Sequence, residues 1–337
     1  MQGWCLVTIF FWQVLRMGRY FLKRIGLGLL TVVLSFTITF FLIRLAPGDP
    51  IQLLAGRENP NPSQIEYVKE AYGLNLPLWQ QYLKYLSNLL QGDFGFSFKN
   101  KLPVLQIIQS RLRPTLLLTV TTSVVSASLG VFLGTQLVRM NSKKLERFFL
   151  GISYFIDAIP TFWLGIILIL VFAGQLKLFP TSGMHDVRNR YQGFQRFLDE
   201  LYHLFLPVMT IVIVQVPIYM RVTRSSILNA MNSDYVKTYR AIGMSEGFIF
   251  RRYLLKNSIS PIITLFGSSL AFTIAGVALI EIIYAWPGMG RLILQAVGSR
   301  DYMLLNGVYL IISLSVIVFM VLIDLVQAFV DPRIRLR

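Results

Sequence analysis

The stretch MLLNGVYLIISLSVIVFMVLIDLVQAF, Met303–Phe329, has Asp324 as its only charged residue. An α-helix rises about 1.5 Å per residue, so about 20 apolar residues cross the roughly 30 Å hydrocarbon core of a bilayer. A run of this length therefore predicts a membrane-spanning helix rather than a helix in the core of a water-soluble domain.

Five further apolar stretches precede this one. Together they predict six transmembrane helices: Ile25–Leu45, Thr115–Val138, Leu150–Leu176, Leu204–Met220, Ile259–Tyr284 and Met303–Phe329. Over the 337 residues, 55% are hydrophobic and 14% are charged, and the mean hydropathy is +0.60. Because a water-soluble domain has roughly 25% charged residues, this composition excludes that class. We predict an all-α integral membrane protein.

Basic residues are unevenly distributed between the two sides of these spans. The chain has 32 Lys and Arg against 16 Asp and Glu, a net charge of +16, which by itself would also suit a nucleic-acid-binding protein. If the N-terminus is inside, 18 of the 32 basic residues fall in short inner segments that hold only four acids. Short basic segments remain cytoplasmic, so we expect both termini in the cytoplasm. The charge then faces anionic lipid rather than nucleic acid.

The segments outside the spans differ in character. Residues 1–17 contain an apolar run too short to cross a bilayer, and we interpret them as an interfacial helix or a dispensable extension. In the long outer segment, residues 46–113, Glu66–Tyr72 and Trp79–Leu90 have helical apolar spacing. We expect this helical outer loop to dock an extracytoplasmic partner. The remaining divisions are a first transmembrane helix at 18–45, a transmembrane core at 114–332 that includes a cytoplasmic loop at 221–260, and a cytoplasmic tail at 333–337.

Three carboxylates fall inside or at the ends of predicted spans. Burying a carboxylate near the bilayer centre costs about 2.5–3.5 kcal/mol on insertion scales, so each needs a basic partner or water. Asp324 precedes the basic tail, and we expect it to have a structural role, paired with Arg333 or with water at the lipid surface. Asp157 and Glu281 have no evident basic partner and are candidates for lining a solute pathway, with a purely structural role as the alternative.

Small residues and prolines indicate a packed helical bundle. Ser126, Gly130 and Gly134 recur every four residues, which lets a second helix approach closely. Prolines also fall within or at the edges of the spans, where they indicate either the broken helices of a transporter or plain kinks. These prolines are Pro160, Pro207, Pro217 and Pro261.

The cytoplasmic loop carries the strongest functional signal. Asn232–Ile242 is predicted to be a short helix, capped at its start by Asn232 or Ser233 and ended by Gly243 in a left-handed conformation. Tyr235, Tyr239 and Ile242 then fall on one face. Such a helix is suited to insert into a groove of another protein, and the alternative is an interfacial helix resting on lipid.

The run DYVKTYRAIGMS, Asp234–Ser245, resembles the cytoplasmic-loop motif of ABC importer permeases in the dipeptide, oligopeptide and nickel branch. The resemblance extends over nearly the whole chain from Met17. Two residues depart from the family pattern. Tyr239 stands where a small residue is more usual, and Asp157 stands where a small or neutral residue is expected. Other motifs of that branch occur in the same order: RLAPGDP at 44–50, YGL at 72–74 followed by Pro77, GDFG at 92–95, Asn257-Ser258 before Pro261, Glu281 with WPGMG at 286–290, and DPR at 331–333.

This resemblance implies a type I ABC importer permease fold with six transmembrane helices, in the cell (inner) membrane of a bacterium or archaeon. It implies that the chain binds no cofactor, and that ATP and Mg belong to two separate ATPase subunits. No Gly-x4-Gly-Lys-Ser/Thr motif occurs in the sequence, which agrees with a transport subunit rather than an enzyme. The other implied partners are a second homologous permease and an extracytoplasmic solute-binding protein, with no nucleic acid.

Two groups of candidate site residues follow. The resemblance assigns ATPase coupling to Asp234, Tyr235, Val236, Thr238, Tyr239, Arg240, Ala241 and Gly243. The candidates for the pathway or its gate are Asp157, Glu281, Trp286, Pro287, Gly288 and Gly290.

Two other classes of protein were considered. A secondary transporter or channel without an ATPase predicts paired buried charges and an internal inverted repeat, and neither is evident in the sequence. A membrane-embedded enzyme needs a cluster of catalytic side chains, whereas His185 and His203 lie outside the spans and far apart in sequence. A metal site is not predicted. The solute itself, an oligopeptide, a dipeptide, a nickel chelate or another small molecule, is left open by the sequence.

Overall fold

A computed structural model describes residues 2–45, 66, 70, 73, 75–97, 99–140, 142–189 and 191–330. The described chain is almost entirely helical. Its long helices are α1 (Gln2–Leu45), α3 (Val104–Arg139), α6 (Gly193–Met231), α9 (Ile259–Gly276) and α12 (Tyr302–Val330).

Shorter elements connect the long helices. The helices are α2 (Leu78–Leu90), α4 (Lys143–Asp157), α5 (Thr161–Leu168, continuing as a π-helix over Ile169–Gln175), α7 (Asp234–Ala241), α8 (Glu246–Ile249, continuing as a π-helix over Phe250–Leu254 and as an α-helix over Leu255–Asn257), α10 (Ala278–Ile283) and α11 (Met289–Gly298). A two-residue strand β1 (Phe96–Ser97) pairs antiparallel with β2 (Leu102–Pro103), with Phe96 opposite Pro103.

All six predicted spans fall on helices. By length and composition, four described helices can cross a membrane: α3, α6, the Leu22–Leu45 part of α1 and the Tyr302–Ala328 part of α12. The pair of α4 and α5 passes the same test only when its two helices are taken together across a 95° bend. The 18-residue helix α9 occupies most of the predicted fifth span. Residues 2–17, predicted to be a separate extension, continue into the first span without a break in α1.

Helices extend beyond some predicted spans and continue through some of the prolines, while the predicted interruption at Pro160 is confirmed. Helix α3 begins at Val104, so the last part of the predicted outer loop belongs to a helix that runs through Pro114. Helix α6 likewise continues through Pro207 and Pro217. A sharp break occurs at Pro160, where α4 and α5 meet at 95°. Proline removes a helix hydrogen bond but is tolerated where neighbours satisfy the freed carbonyl.

Helices α3 and α6 pack closely through small residues, as predicted. A Cβ atom at Gly134 would lie 2.5 Å from the Met220 carbonyl oxygen, and one at Gly130 would lie 3.0 Å from the Val216 carbonyl oxygen. Ser126 is fully buried along the same stripe. Replacing either glycine would therefore push the two backbones apart.

The described part of the predicted outer segment, from residue 75 onward, is packed onto the bundle rather than tethered to it. The ring of Tyr85 in α2 stacks on Phe36 of α1, with ring centroids 5.7 Å apart, and Phe40 lies on the same cluster. Gly92 ends α2 with φ of +82°, a conformation that favours glycine. The predicted helix Trp79–Leu90 is confirmed, whereas most of the predicted helix Glu66–Tyr72 lies outside the described residues.

Candidate functional site

The predicted coupling loop forms a short helix with a well-defined end. Ser233 occupies the N-cap position of α7, but its hydroxyl donates to the Ala230 carbonyl and does not cap the helix. At the other end, the Gly243 N–H donates to the Arg240 carbonyl and the Met244 N–H donates to the Tyr239 carbonyl, at 3.0 and 3.1 Å. This pair of bonds is a Schellman motif, and Gly243 has φ of +81°. The predicted left-handed glycine is confirmed.

A small apolar core holds this helix to the residues that follow it. Val236 of α7 is fully buried against Ile249 and Leu254. We call residues 234–257, which share this core, the coupling segment. The core is too small to fold alone, because a handful of buried side chains cannot offset the entropy of ordering the segment. It therefore depends on α6, which leads directly into it.

The two tyrosines of α7 do not form the exposed face that we predicted. Tyr235 and Tyr239 are half-buried against the small core, and the Tyr239 ring lies 4.2 Å from the ring of Tyr253. Ile242 is 64% exposed. The predicted insertion of all three side chains into a partner is thus corrected, because two of them pack within the chain.

Apart from Ile242, the exposed side of α7 carries charged or small side chains. Thr238 and Ala241 are exposed there. The Arg240 guanidinium donates to the Glu246 carboxylate at 2.6 Å, which joins α7 to α8 across the Gly243 turn. The hydrogen bond from Arg240 lowers the pKa of the Glu246 carboxyl, and the same bond raises the pKa of Arg240. Both groups therefore remain charged at neutral pH.

A second candidate group surrounds Glu281, and we call it the Glu281 cluster. The Glu281 side chain is fully buried. One carboxylate oxygen accepts a hydrogen bond from the Thr115 hydroxyl at 2.6 Å, and the other accepts one from the Arg291 backbone N–H at 3.0 Å. The Met289 N–H donates to the Thr115 hydroxyl oxygen at 2.7 Å. The cluster thereby ties α3, α10 and α11 together.

The motif that follows Glu281 is built around its carboxylate. Trp286 is fully buried, and its indole N–H donates to the Pro114 carbonyl at 3.0 Å. A Cβ atom at Gly288 would collide with the Glu281 carboxylate, and one at Gly290 would lie 2.5 Å from the Ala278 Cα. Pro287 is half-buried between them.

These contacts correct the predicted pathway role of Glu281. A pathway-lining carboxylate faces water, whereas this one has protein donors on both oxygens. Its partner Thr115 lies 166 residues away in sequence, so no local pattern identified it. Gating by the 286–290 turn remains a prediction.

The other membrane carboxylates are paired with arginines. Asp157 at the end of α4 accepts a hydrogen bond from Arg221 of α6. Asp324 of α12 lies 3.3 Å from the Arg24 guanidinium of α1, and the predicted partner Arg333 lies outside the described residues. The expectation that Asp157 lacks a basic partner was wrong, and Asp324 pairs with an arginine other than the predicted one. Each arginine comes from a helix distant in sequence.

An ionic group that the sequence did not reveal lies near the start of α6. Arg113 donates to both oxygens of the buried Glu200, at 2.9 and 3.2 Å. His203 Nδ1 lies 3.2 Å from an Asp199 oxygen, and His185 Nε2 lies 3.7 Å from a Glu200 oxygen. Partial burial lowers the pKa of His185. In the described part of the chain no cluster of His, Cys, Asp and Glu is arranged to hold a metal ion.

Comparison with protein families agrees with this arrangement. Residues 126–336 match the family described as the binding-protein-dependent transport system inner membrane component. The chain belongs to this permease family. Residues 17–119 of the permease match the N-terminal membrane component of the same transport systems. The permease is therefore a subunit of an ABC importer, a class in which the ATPase resides on separate subunits, and the alternative of a secondary transporter or channel is set aside.

Curated relatives resemble the permease over nearly its full length. It is 34% identical over 320 residues to the oligopeptide transport system permease protein AppB of Bacillus subtilis (strain 168), covering 94% of this chain and 99% of that protein. It is 30% identical over 336 residues to the dipeptide transport system permease protein DppB of Escherichia coli (strain K12), covering 95% and 99%. The glutathione transport system permease protein GsiC of Escherichia coli (strain K12) is 33% identical over 320 residues, covering 95% and 99%.

A solved structure supports the fold of the permease. A chain of the methionine ABC transporter MetNI in an inward-facing conformation aligns with a TM-score of 0.54 and 16% identity, covering 67% of the permease and 97% of that chain. At this identity the likeness concerns the fold alone. It is the type I ABC importer permease fold expected from the sequence.

Proposed function

We propose that this permease forms part of the pathway by which peptides or related small solutes enter a bacterial or archaeal cell. Its relatives are named as permeases of oligopeptide, dipeptide and glutathione transport systems, and these names support this solute class. The excess of basic residues in the short inner segments supports cytoplasmic positions for both termini and for the coupling segment. The membrane is then the cell membrane.

The proposed assembly contains the permease, a second homologous permease, two ATPase subunits and a solute-binding protein. The outer segment, packed on α1 through Tyr85, offers the binding protein a fixed surface. ATP and Mg act on the ATPase subunits, and this chain contributes only its contact with them. Residues 1–17 are proposed to be dispensable for transport.

The observation that carries the coupling role is the two-sided packing of α7. Val236 secures one side to the chain, while Thr238, Ala241 and Ile242 are exposed on the other. An apolar side chain at 64% exposure, with the small residues Ala241 and Gly243 on either side in sequence, leaves room for the wall of a groove on a partner. The ATPase therefore contacts Ile242 and its neighbours, and the tyrosines support the helix from behind.

Movement at α7 has a direct route into the membrane. Helix α6 ends at Met231, immediately before α7, so a displaced coupling segment pulls on α6. Helix α6 in turn lies against α3 at Gly130 and Gly134 without room for a side chain. Close packing of this kind transmits displacement because it does not compress. The Glu281 cluster anchors α3 to the 286–290 turn, which we propose as the gate.

Exchange of the exposed isoleucine tests this proposal. Ile242→Ala should leave the permease inserted but reduce ATPase retention about tenfold or more, since truncation of an interface anchor costs about 2 kcal/mol. The matched control is Val187→Ala, which truncates a side chain that is 93% exposed elsewhere. ATPase co-purification, ATP hydrolysis and peptide uptake should be measured together in reconstituted complexes. Wild-type values of all three for Ile242→Ala would overturn the coupling role.

Orientation is tested separately in intact cells. In a Cys5→Ser background, a cysteine at Asn189 should react with an impermeant thiol reagent, and one at Ser245 should react only after the membrane is opened. Both positions are exposed, so a failure to react reflects location rather than burial. The reverse pattern would place the coupling segment outside and exclude an ATPase as its partner.

A further inference from the structure

Helix α4 lies across α6 rather than alongside it. Glu146 and Asp157 are 11 residues apart, or about 16 Å along α4, yet they bind Arg224 and Arg221, which are about one turn apart on α6. The 95° bend between α4 and α5 agrees with a steep crossing. Since α6 crosses the membrane and these arginines follow its predicted span, α4 lies near the membrane surface and roughly in its plane.

Both acidic residues of α4 lie on the face that contacts α6, where each forms an ion pair with an arginine. Glu146, Leu150, Ser153 and Asp157 recur at helical spacing on this face. Arg224 donates to Glu146 at 2.6 Å, and Arg221 donates to the Ser153 hydroxyl at 3.1 Å as well as to Asp157. Neither acid on α4 is therefore available to offset positive charge elsewhere on the helix.

The opposite side of α4 is basic at one end and aromatic along its length. Lys143, Lys144 and Arg147 are exposed in the first two turns. Phe148 and Phe155 point away from α6 and are 61% and 71% exposed. The helix N-terminus adds a partial positive charge at the same end. Basic side chains beside exposed aromatic rings are the composition of helices that bind a membrane surface.

We propose that the basic end of α4 binds the phosphate groups of anionic phospholipids in the leaflet adjoining the coupling segment. Phe148 and Phe155 then lie at the boundary between headgroups and acyl chains. The identification of this leaflet as cytoplasmic rests on the proposed orientation, whereas lipid binding itself does not depend on what the permease transports. A protein partner with an acidic surface is the competing occupant.

Site-specific quenching tests the lipid directly. Gly151 is exposed, and a Cβ atom there would meet nothing within 4 Å. Gly151→Cys in the Cys5→Ser background, labelled with a bimane fluorophore, provides a probe on the lipid-facing side of α4. The full-length chain, purified with its associated subunits, is placed in phosphatidylcholine nanodiscs. Trace phosphatidylglycerol or phosphatidylcholine, each with a nitroxide near the headgroup, then serves as the quencher.

The phosphatidylglycerol quencher should be about threefold or more as effective as the phosphatidylcholine quencher, because each basic residue near the surface attracts anionic lipid. The triple variant Lys143→Gln, Lys144→Gln, Arg147→Gln should remove this preference. A control variant with the same loss of charge in outer loops, Lys99→Gln, Lys101→Gln, Arg188→Gln, should retain it.

Three results would overturn the proposal. Equal quenching by the two lipids in the otherwise unaltered chain would show that α4 has no preference for anionic lipid. Protection from both lipids would show that protein covers this face. An equal loss in the control variant would assign the effect to net charge. If the triple variant misfolds, the quenching by the two lipids can still be compared in the chain that keeps its basic residues, and that comparison is decisive. The measurement does not depend on transport.

Discussion

The Glu281 cluster and the coupling segment both depend on glycine, for opposite reasons. Gly288 has an ordinary φ of −102°, but a Cβ atom there would collide with the Glu281 carboxylate. Gly243 has φ of +81°, and nothing lies within 4 Å of the position its Cβ would take. The first glycine supplies space and the second supplies a left-handed backbone. Substitution should therefore damage the two regions to different degrees.

The regions also differ in how their charges are held. Glu281 is fully buried and joins three helices through hydrogen bonds to Thr115 and Arg291. Glu246 is exposed and joins two neighbouring helices through Arg240. A buried network with all partners present is rigid, whereas an exposed ion pair adds little. The comparison indicates tight packing around Glu281 and weaker ionic contacts in the coupling segment.

The largest expected effect is a loss of stability when the buried carboxylate Glu281 is removed, compared with removal of the exposed carboxylate Glu246. Glu281→Ala leaves the Thr115 hydroxyl and the Arg291 N–H without their acceptor, at about 1–3 kcal/mol for each unsatisfied group. We expect much less folded permease and a melting temperature lower by several degrees, measured by size-exclusion chromatography after heating. Glu246→Ala is the control and should leave both quantities close to wild type. Equal stability of the two variants would show that the buried network does not anchor the bundle.

The second effect compares the glycines. Gly288→Ala forces a Cβ against a buried carboxylate, and overpacking of this kind costs about 1–3 kcal/mol. Gly243→Ala costs about 1 kcal/mol through its left-handed backbone, and Gly243→Asn should cost less because asparagine tolerates that conformation. The readouts are the yield of assembled complex for Gly288 and the coupling of hydrolysis to uptake for Gly243. An equal response to Ala and Asn at position 243 would mean that backbone conformation is not the constraint.

The third effect decides where the tyrosines act. Tyr235→Ala with Tyr239→Ala should increase amide hydrogen exchange in residues 234–257 of the permease even without ATPase subunits, since both rings pack on the chain itself. Ile242→Ala should leave that exchange unchanged. If the double variant alters exchange only when the ATPase is bound, the tyrosines face the partner after all.

The smallest effect concerns the Arg240–Glu246 pair. The folded-state pKa of Glu246 is lowered, so its contribution is present at neutral pH and is lost as the pH falls through the folded pKa, below its ordinary value of 4.5. Between pH 6 and pH 8, Glu246→Gln should therefore change ATPase retention by the same small amount, which added salt reduces further. A strong dependence within this range would point to a different titrating group.

The sequence was sufficient to locate the spans, because a run of apolar residues is a local property. Helix ends were harder to predict, since the backbone stays helical beyond the hydrocarbon. Helix α3 begins at Val104 and passes through Arg111 and Arg113 before its apolar part. Proline was also an unreliable signal for a helix break. Helix α6 continues through Pro207, where packing allows it, while the chain turns at Pro160.

The sites were predicted in outline but not in their contacts. The coupling helix and its terminal glycine follow from local rules of capping. The partner of Asp157 is 64 residues away, and that of Glu281 is 166 away, so neither could be inferred from spacing. Tyr239, unusual against the motif, is explained by Tyr253, whose ring lies 4.2 Å from it. The large side chain of Tyr239 is accommodated by packing against Tyr253 of the same chain.

The bond between Thr115 and Glu281 also constrains how the protein is made. A ribosome adds roughly 5–20 residues per second, so the 166 residues between these partners take about 8–33 s to synthesise. During that interval Thr115 has been made, but its acceptor does not yet exist. The hydrogen bond from Trp286 to the Pro114 carbonyl of α3 forms equally late. The hydroxyl of Thr115 therefore lacks its native acceptor until most of the chain has been synthesised.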